Sequence, residues 1–490
     1  MSQTLALPPG PTESKFKQAM KMGTGIYDYL SECHAKYGDA FTLRFPGMDP
    51  LVWVASPEMA KDFFNLKPEQ IDQRQLMIPI DIGDNQTGFL NNKEHQDSRK
   101  IMIPPLVATR LRDRAAVMHE LTTRNINAMK AGDNFDMPRL IGDITLDIAC
   151  FTLLGLKEGP KLQRYRELML AWIGASTNDT MFTLGNLWGA PRFRSMLHRA
   201  YLKKTAKKDF GKGKKGWLPW SKSVELKAQL ADLMRQEIHA VRASGDTTRT
   251  DLIATLSRAT YDDGELLPEE RIISESMGML VGGHETSAAT GAWFMLWLLK
   301  RPDVMQKMRE EVLACVAQEG HFDPLKIVEL PYLNACLNES QRLTPSAVGT
   351  MRHLVGETRI GSLTLPAKAN VLAGAYLIHR RKDVWGEDAE EFKPERWLAG
   401  IKPGPFEFFP FGGGRRACIG SNQARQQLRI LFAEFARRVE FTSKFANNDV
   451  WPGQRQVSGQ TEPEGGVPVT VKKVWPENTG YPMPAVAQSA

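Results

Sequence analysis

The sequence predicts a mainly α protein built as one large domain with small β-sheets. Three observations carry that expectation. Apolar residues recur at helical spacing over long stretches, at 112–130, 138–156, 224–244, Pro268–Lys300 and Ala424–Arg438. Strand-like runs are short, Ala40–Phe45 and Leu51–Ala55 being the clearest. No tandem repeat or low-complexity linker divides the 490 residues, although that length would suit two to four average domains.

Composition bounds the function. A chain with 42% hydrophobic and 24% charged residues is ordinary for a globular protein, and a net charge of +7 implies only a mild preference for acidic partners. The five cysteines, Cys33, Cys150, Cys315, Cys336 and Cys418, contain no C-x-x-C pair. Neither a zinc site nor a disulfide framework is expected, and a reducing compartment is. The opening MSQTLALPPGPTESKFKQ has no apolar run of signal or spanning length, and Gly282-Gly283-His284-Glu285 interrupts the longest apolar stretch, Met277–Leu299. The sequence therefore predicts no membrane span and a cytoplasmic protein.

Taken in order, 24–65 reads as an amphipathic helix, two strands and a helix from Pro57. Residues 76–92 show no period and predict a long functional loop. Glu94–Val107 reads as a helix on which His95 and Arg99, four apart, share a face. Helices follow to Lys161–Ala175. Between Ser176 and Ser223 the pattern dissolves into aromatics and a basic run from Lys203 to Lys215, with Trp217 and Trp220 beside it. A mobile solvated loop is expected there, a flexible lid touching a membrane surface being the second reading. The run is too short, and the rest too little basic, for nucleic-acid binding.

Pro268-Glu269-Glu270 opens a helix with proline in its first turn and acids at its positive end. It runs to Lys300, about 50 Å, so it must cross the molecule. Gly282 and Gly283 in its middle cost roughly 1 kcal/mol each relative to alanine, which points to something flat approaching the backbone. Thr286, four residues on, can bond the Gly282 carbonyl and open a groove. His284-Glu285 begins like H-E-x-x-H, but Ala288 stands where the second histidine would be, which excludes a zinc hydrolase.

The functional stretch is Pro405–Gly420, PFEFFPFGGGRRACIG. Cys418 ends a run of glycines and arginines just before a helix, a setting that lowers a thiol pKa and suits a soft metal ligand. Gly412, Gly413, Gly414 and Gly420 allow positive φ and close approach of the backbone. Phe406, Phe408, Phe409 and Phe411 are placed to shield the sulfur, and Arg416 to hold a carboxylate. A dinucleotide fingerprint fits badly: Pro405 and Pro410 break the strand it needs, and Glu434 lies within a helix. No Gly-Lys-Ser/Thr follows, so this is not a phosphate-binding loop of that type.

Phe411-Gly412-x-Gly414-x-Arg416-x-Cys418-x-Gly420 resembles the cysteine-ligand signature of the cytochrome P-450 family at every fixed position. Gly282-Gly283-His284-Glu285-Thr286 resembles that family's oxygen-activation motif, and Glu339-x-x-Arg342 with Pro394-Glu395-Arg396 its structural triad. The resemblance covers roughly residues 20–475 and implies the cytochrome P-450 fold, with haem b between the Pro268–Lys300 helix and the Cys418 loop. It divides the chain into a flexible segment 1–20, a domain 21–475 and a tail 476–490. It implies Cys418 as the iron ligand, and His95, Arg99, Arg352 and Arg416 at the haem propionates, with His95 where the family usually has tryptophan. It places Gly282 and Gly283 beside the haem, and Glu285 and Thr286 in proton delivery.

The implied reaction hydroxylates or epoxidises a sizeable apolar substrate such as a fatty acid, terpenoid or steroid, using O2. Two electrons would come from a ferredoxin and its reductase, docking on a basic patch formed from Arg99, Lys100, Arg110, Arg112, Arg425, Arg429, Arg437 and Arg438. Pocket walls are expected from 76–90, 176–190, Met279–Gly283, Val348–Gly349 and the turn near Gln456–Thr461. Alternatives are a haem-thiolate isomerase, dehydratase or peroxide-driven enzyme, against which Glu285-Thr286 speaks, and a non-catalytic haem protein.

Overall fold

A computed structural model describes residues 6–481 except Met77, Val107, 208–215 and Ser458, and not the side chains of 108–111 or Val457. The first part of the chain forms α1 (Lys15–Thr24), α2 (Ile26–Tyr37), β1 (Ala40–Leu43), β2 (Leu51–Val54), α3 (Pro57–Phe64), α4 (Asn92–Met102), α5 (Ala108–Asn127), β3 (Asn134–Asp136) and α6 (Met137–Leu154). Next come α7 (Pro160–Ser176), α8 (Asp179–Trp188), α9 (Ala190–Ala206), α10 (Ser221–Ser244), α11 (Leu252–Arg258), α12 (Glu269–Lys300), α13 (Pro302–Glu319), α14 (Pro324–Ile327) and α15 (Pro331–Leu343). The last part holds β4 (Thr350–His353), β5 (Thr358–Ile360), β6 (Leu363–Leu365), β7 (Asn370–Ala373), the single turns α16 (Ala375–Ile378), α17 (Lys382–Trp385) and α18 (Glu395–Leu398), then α19 (Ser421–Arg438), β8 (Val439–Thr442), β9 (Gln454–Val457), β10 (Gln460–Pro463) and β11 (Pro468–Val474).

The mainly α expectation holds, and the sheets are small. β1 and β2 form a hairpin, β2 runs parallel to β7, and β4 closes the sheet antiparallel to β7. A second sheet has β11 between β3 and β8, all antiparallel, and β5–β6 and β9–β10 are hairpins. From Pro8 onward the N-terminal segment is tied to β1: Thr42 donates its hydroxyl to Pro8 O and its amide to Pro9 O. Residues 482–490 of the expected tail lie outside the described residues.

α12 is long, starts at Glu269 and stops where Pro302 begins α13. Apolar residues cover most of its faces because it packs against α6, α15, α19 and β10 at once. The approach of α6 is so close that a Cβ on Gly142 would lie 2.9 Å from Cε1 of His284. Trp293 of α12 donates its indole N–H to Thr461 O at 2.8 Å, fixing β10 against the helix. Among the described residues no helix is long and apolar enough to cross a membrane.

The structure corrects the expected loop at 176–223. α8 starts at an Asn178 cap that accepts the Met181 amide, and α9 continues to Ala206. Phe193, Leu197 and Tyr201, four apart, are buried against α10, an apolar stripe that the surrounding lysines and arginines hide from a windowed reading. Lys208, Lys212, Lys214 and Lys215 lie outside the described residues. α4 ends at Met102 rather than at 107, just before Pro104-Pro105.

The irregular segment 76–92 contains one short 3-10 turn, Thr87–Phe89, and is pinned on two sides. Arg194 of α9 donates to Ile78 O at 3.0 Å and Arg74 O at 2.7 Å, while Lys227 of α10 pairs with buried Asp81 at 2.6 Å. Buried Glu275 of α12 accepts the Thr87 amide at 3.0 Å and the Thr87 hydroxyl at 2.7 Å.

Candidate active site

The loop carrying Cys418 owes its shape to two glycines. Gly412 and Gly414 have φ of +66° and +64°, and a Cβ on Gly414 would meet the Phe64 carbonyl oxygen at 2.6 Å. Gly413 and Gly420 do not share that role, because their φ values are −149° and −90°. The Cys418 amide donates to Phe411 O at 2.9 Å, and α19 starts three residues later, with Gly420 as its cap. Phe409 stacks edge-on against Phe64 of α3 and Phe408 lies against Trp397, so these two phenylalanines anchor the loop. Arg425 lies over the Phe411 ring at 4.6 Å.

Cys418 is the one exposed cysteine of the five. The expected lowering of its pKa does not follow from the protein alone. Although the residue is open at the loop surface, the atoms packed around its thiol desolvate it, which pushes its pKa up against the Gly420 amide, Arg99 and Arg425, which pull it down. Ligation to a metal would deprotonate the thiol outright, so the thiolate is a property of the ligated state.

His95, Arg99, Arg352 and Arg416 converge from α4, β4 and the cysteine loop. Arg99 Nη1 donates to Ala417 O at 2.9 Å and Arg416 Nη2 to Leu90 O at 2.6 Å. Arg352 is 6% exposed and His95 is also 6% exposed. Burial and the neighbouring cations push His95 down to about 3, Arg352 to about 9 and Arg416 to about 10. None of the three arginines forms an ion pair with a carboxylate among the described residues. Cations desolvated together without an anion are costly, and a ligand bringing carboxylates relieves that cost. The paired propionates of haem have that chemistry.

On α12 the Thr286 hydroxyl donates to the Gly282 carbonyl, as the spacing predicts. A Cβ on Gly282 would meet nothing within 4 Å, whereas one on Gly283 would touch Ala149 of α6. Gln427 of α19 donates to the Ser287 hydroxyl at 2.7 Å, joining the helix that follows the cysteine to the helix that carries Thr286. Glu285 turns away from Thr286 into a cavity of about 440 Å³ bounded by α6 and β10. Burial, then the Glu462 carboxylate, push Glu285 up to about 7.

A second cavity, of about 640 Å³, is lined by Leu76, Ile78, Phe182, Leu187, Val348 and Gln456 among others. Four of the five expected wall segments therefore meet there, joined by Phe16 and Met22 of α1. Met279–Gly283 is not among its walls.

Beneath the cysteine loop, buried Glu339 accepts from Arg342 and Arg396, the expected triad. Sequence reasoning missed its link to the loop. Arg342 donates to His379 O at 2.9 Å, and His379 Nε2 accepts the Phe409 amide at 2.9 Å. His379 is buried, and burial and Arg342 push its pKa down to about 3, which keeps that nitrogen an acceptor. A lone histidine far from any motif gives no sequence signal. The expected basic patch shrinks: Arg437 and Arg438 are buried and pair with Glu434. Lys100, Arg112 and Arg415 are exposed, Arg425 and Arg429 half-buried, and the Arg110 side chain lies outside the described residues.

The cytochrome P450 family model matches residues 8–463. The chain belongs to the cytochrome P450 family. Curated P450 relatives include putative cytochrome P450 135B1 of Mycobacterium tuberculosis, 26% identical over 90% of this chain and 87% of its own. Putative cytochrome P450 138 of the same organism is 26% identical over 88% of this chain and 89% of its own. A phenylacetaldehyde oxime monooxygenase of Prunus mume is 26% identical over 86% of this chain and 79% of its own. Among solved structures, retinoic acid-bound cyanobacterial CYP120A1 superposes with a TM-score of 0.75 at 18% identity, covering 96% of this chain and all of that one, a likeness of fold. The protein is thus a P450 monooxygenase with haem as its cofactor, and it uses O2, redox partners and a small-molecule substrate. Cys418 as a soft ligand, the cations of Arg99, Arg352 and Arg416 and the neutral imidazole of His95 beside them fit that group.

Proposed function

We propose that this P450 hydroxylates or epoxidises a sizeable apolar substrate, and that Glu285 and Thr286 handle its protons. The observation that carries the reading is the division of labour on α12: Thr286 lies beside the Gly282 carbonyl, and Glu285 faces the outer cavity. With its proton given to Gly282 O, the Thr286 oxygen still has lone pairs to accept from a water. Glu285, held at about 7, can both take and release a proton near neutral pH. Cys418 would hold the iron, and an anionic sulfur ligand favours O–O cleavage in bound haem. His95, Arg99, Arg352 and Arg416 would hold its propionates.

The cavity of about 640 Å³ suits a fatty acid, terpenoid or steroid, its walls being mostly apolar. We assign electron supply to a ferredoxin and its reductase, attracted by exposed Lys100, Arg112 and Arg415. The unpaired cysteines suit a cytoplasmic setting. Turnover of the haem-loaded protein with NADPH and surrogate ferredoxin partners tests the reading. An oxygenated product that requires NADPH is expected. An isomerised or dehydrated product formed without NADPH, or no turnover with any reductant, would overturn it.

Thr286→Ala is expected to leave substrate binding, read by haem spin state, unchanged. Product formed per NADPH should fall on the order of tenfold, with peroxide taking up the difference. Unchanged coupling would remove Thr286 from proton handling.

A further inference from the structure

The cavity of about 440 Å³ against α6 is lined by four carboxylates, those of Glu285, Asp136, Asp143 and Glu462. Glu462, on β10, is a residue in no motif. Its Oε1 accepts from Arg455 Nη2 of β9 at 2.9 Å, and its side chain is 24% exposed. Oε2 of Glu285 is buried and makes no hydrogen bond within the protein. A cavity this wide holds water, and a buried carboxyl oxygen at its wall gives that water a partner.

The other charged groups facing Glu285 are committed elsewhere or exposed. Asp143 of α6 pairs with Arg166 at 3.2 Å, and Asp136 Oδ1 accepts the Val467 amide at 2.8 Å. Burial pushes His284 down, so it is neutral near pH 7, and Arg139 is exposed. Glu462 is therefore the charge that bears on Glu285 from across the cavity.

We propose that this cavity is the proton entrance of the enzyme, with Glu462 the positioning residue that keeps Glu285 loaded with its proton. The proposal rests on Glu285 being the proton donor. In it, a hydronium in the cavity gives up one O–H bond, a new O–H bond forms on Oε2 of Glu285, and the remaining water stays in the cavity. No electrons move. The Glu462 charge opposes ionisation of Glu285, so the proton is retained until it is drawn inward.

The sign is testable. Removing the Glu462 charge lowers the midpoint of Glu285, and weakening its Arg455 partner raises it. Infrared titration of the ferric holoenzyme reads that midpoint directly, the Glu285 band being the one missing in Glu285→Gln. Glu462→Gln is expected to lower it by about one pH unit, and Arg455→Gln to raise it. In turnover, the pH profile of product per NADPH should shift to the acid side in Glu462→Gln, with a larger solvent isotope effect at neutral pH. A merely structural role would not move the two variants in opposite directions. If Glu285→Gln uncouples turnover but Glu462→Gln leaves the midpoint and profile in place, the role of Glu462 is wrong while Glu285 stands. If Glu285→Gln leaves coupling unchanged, both fail.

Discussion

Cys418→Ser is expected to abolish the thiolate-type absorption of the reduced carbonyl complex and, with it, all NADPH-dependent oxygenation. A serine hydroxyl stays protonated where a thiol would ligate iron as the thiolate, so the electron-rich axial ligand is lost outright. The effect should be confined to chemistry. The loop is held by backbone and by neighbours, through the Cys418 amide on Phe411 O, the Phe409 amide on His379 and the Phe64 carbonyl against Gly414. The serine variant keeps every one of those contacts. His95, Arg99, Arg352 and Arg416 remain to draw the propionates, so haem should still bind, though more weakly. The thermal midpoint of the haem-free variant should match that of the haem-free parent. A thiolate spectrum that survives the substitution would remove Cys418 as the ligand and leave the loop without its chemistry.

The parts of this site that could be read from sequence are those where one residue type is indispensable. A positive φ and a 2.6 Å approach to a carbonyl oxygen demand glycine at 414. Such positions announce themselves. The convergence of Arg99, Arg352 and Arg416 from three segments came only through family resemblance, since spacing cannot show that α4 and β4 meet the cysteine loop. His379 and Glu462 were invisible because the neighbours they touch are brought near by tertiary packing and lie in no motif with them. The failure at 176–223 was of another kind. Tyr201 and Phe193 are buried core residues, yet they sit in a stretch where Lys203, Lys204 and Lys207 dominate any local average. For the Cys418 thiol, the sequence shows the helix N-terminus and the arginines that favour ionisation but not the desolvation that opposes them until a metal binds.

Glu339→Gln is expected to be strongly destabilising, by about 3–5 kcal/mol, the range for stranding a buried charge. Glu339 and Arg342 are both 0% exposed in their side chains, and Arg396 is 6% exposed. Oε1 accepts from Arg342 at 2.8 Å, Arg396 at 2.8 Å and the Lys393 amide at 3.0 Å, while Oε2 accepts from Arg342 at 2.9 Å and Trp397 at 2.9 Å. A glutamine keeps the volume but offers one acceptor oxygen and an NH2 that would face a guanidinium. Arg342 would then be a buried cation with no carboxylate, while Arg396 would keep only Asp388, at 3.0 Å. The damage should also reach the site, because Arg342 holds the His379 carbonyl and His379 holds the Phe409 amide. Haem retention after gel filtration should therefore fall together with the denaturation midpoint. The exposed pair Lys382–Glu387, at 62% and 89% exposure, is the control, since screening leaves such pairs with little to contribute. If Glu339→Gln lowers the midpoint no more than Lys382→Ala, or if stability falls while haem is retained in full, the triad does not support the cysteine loop.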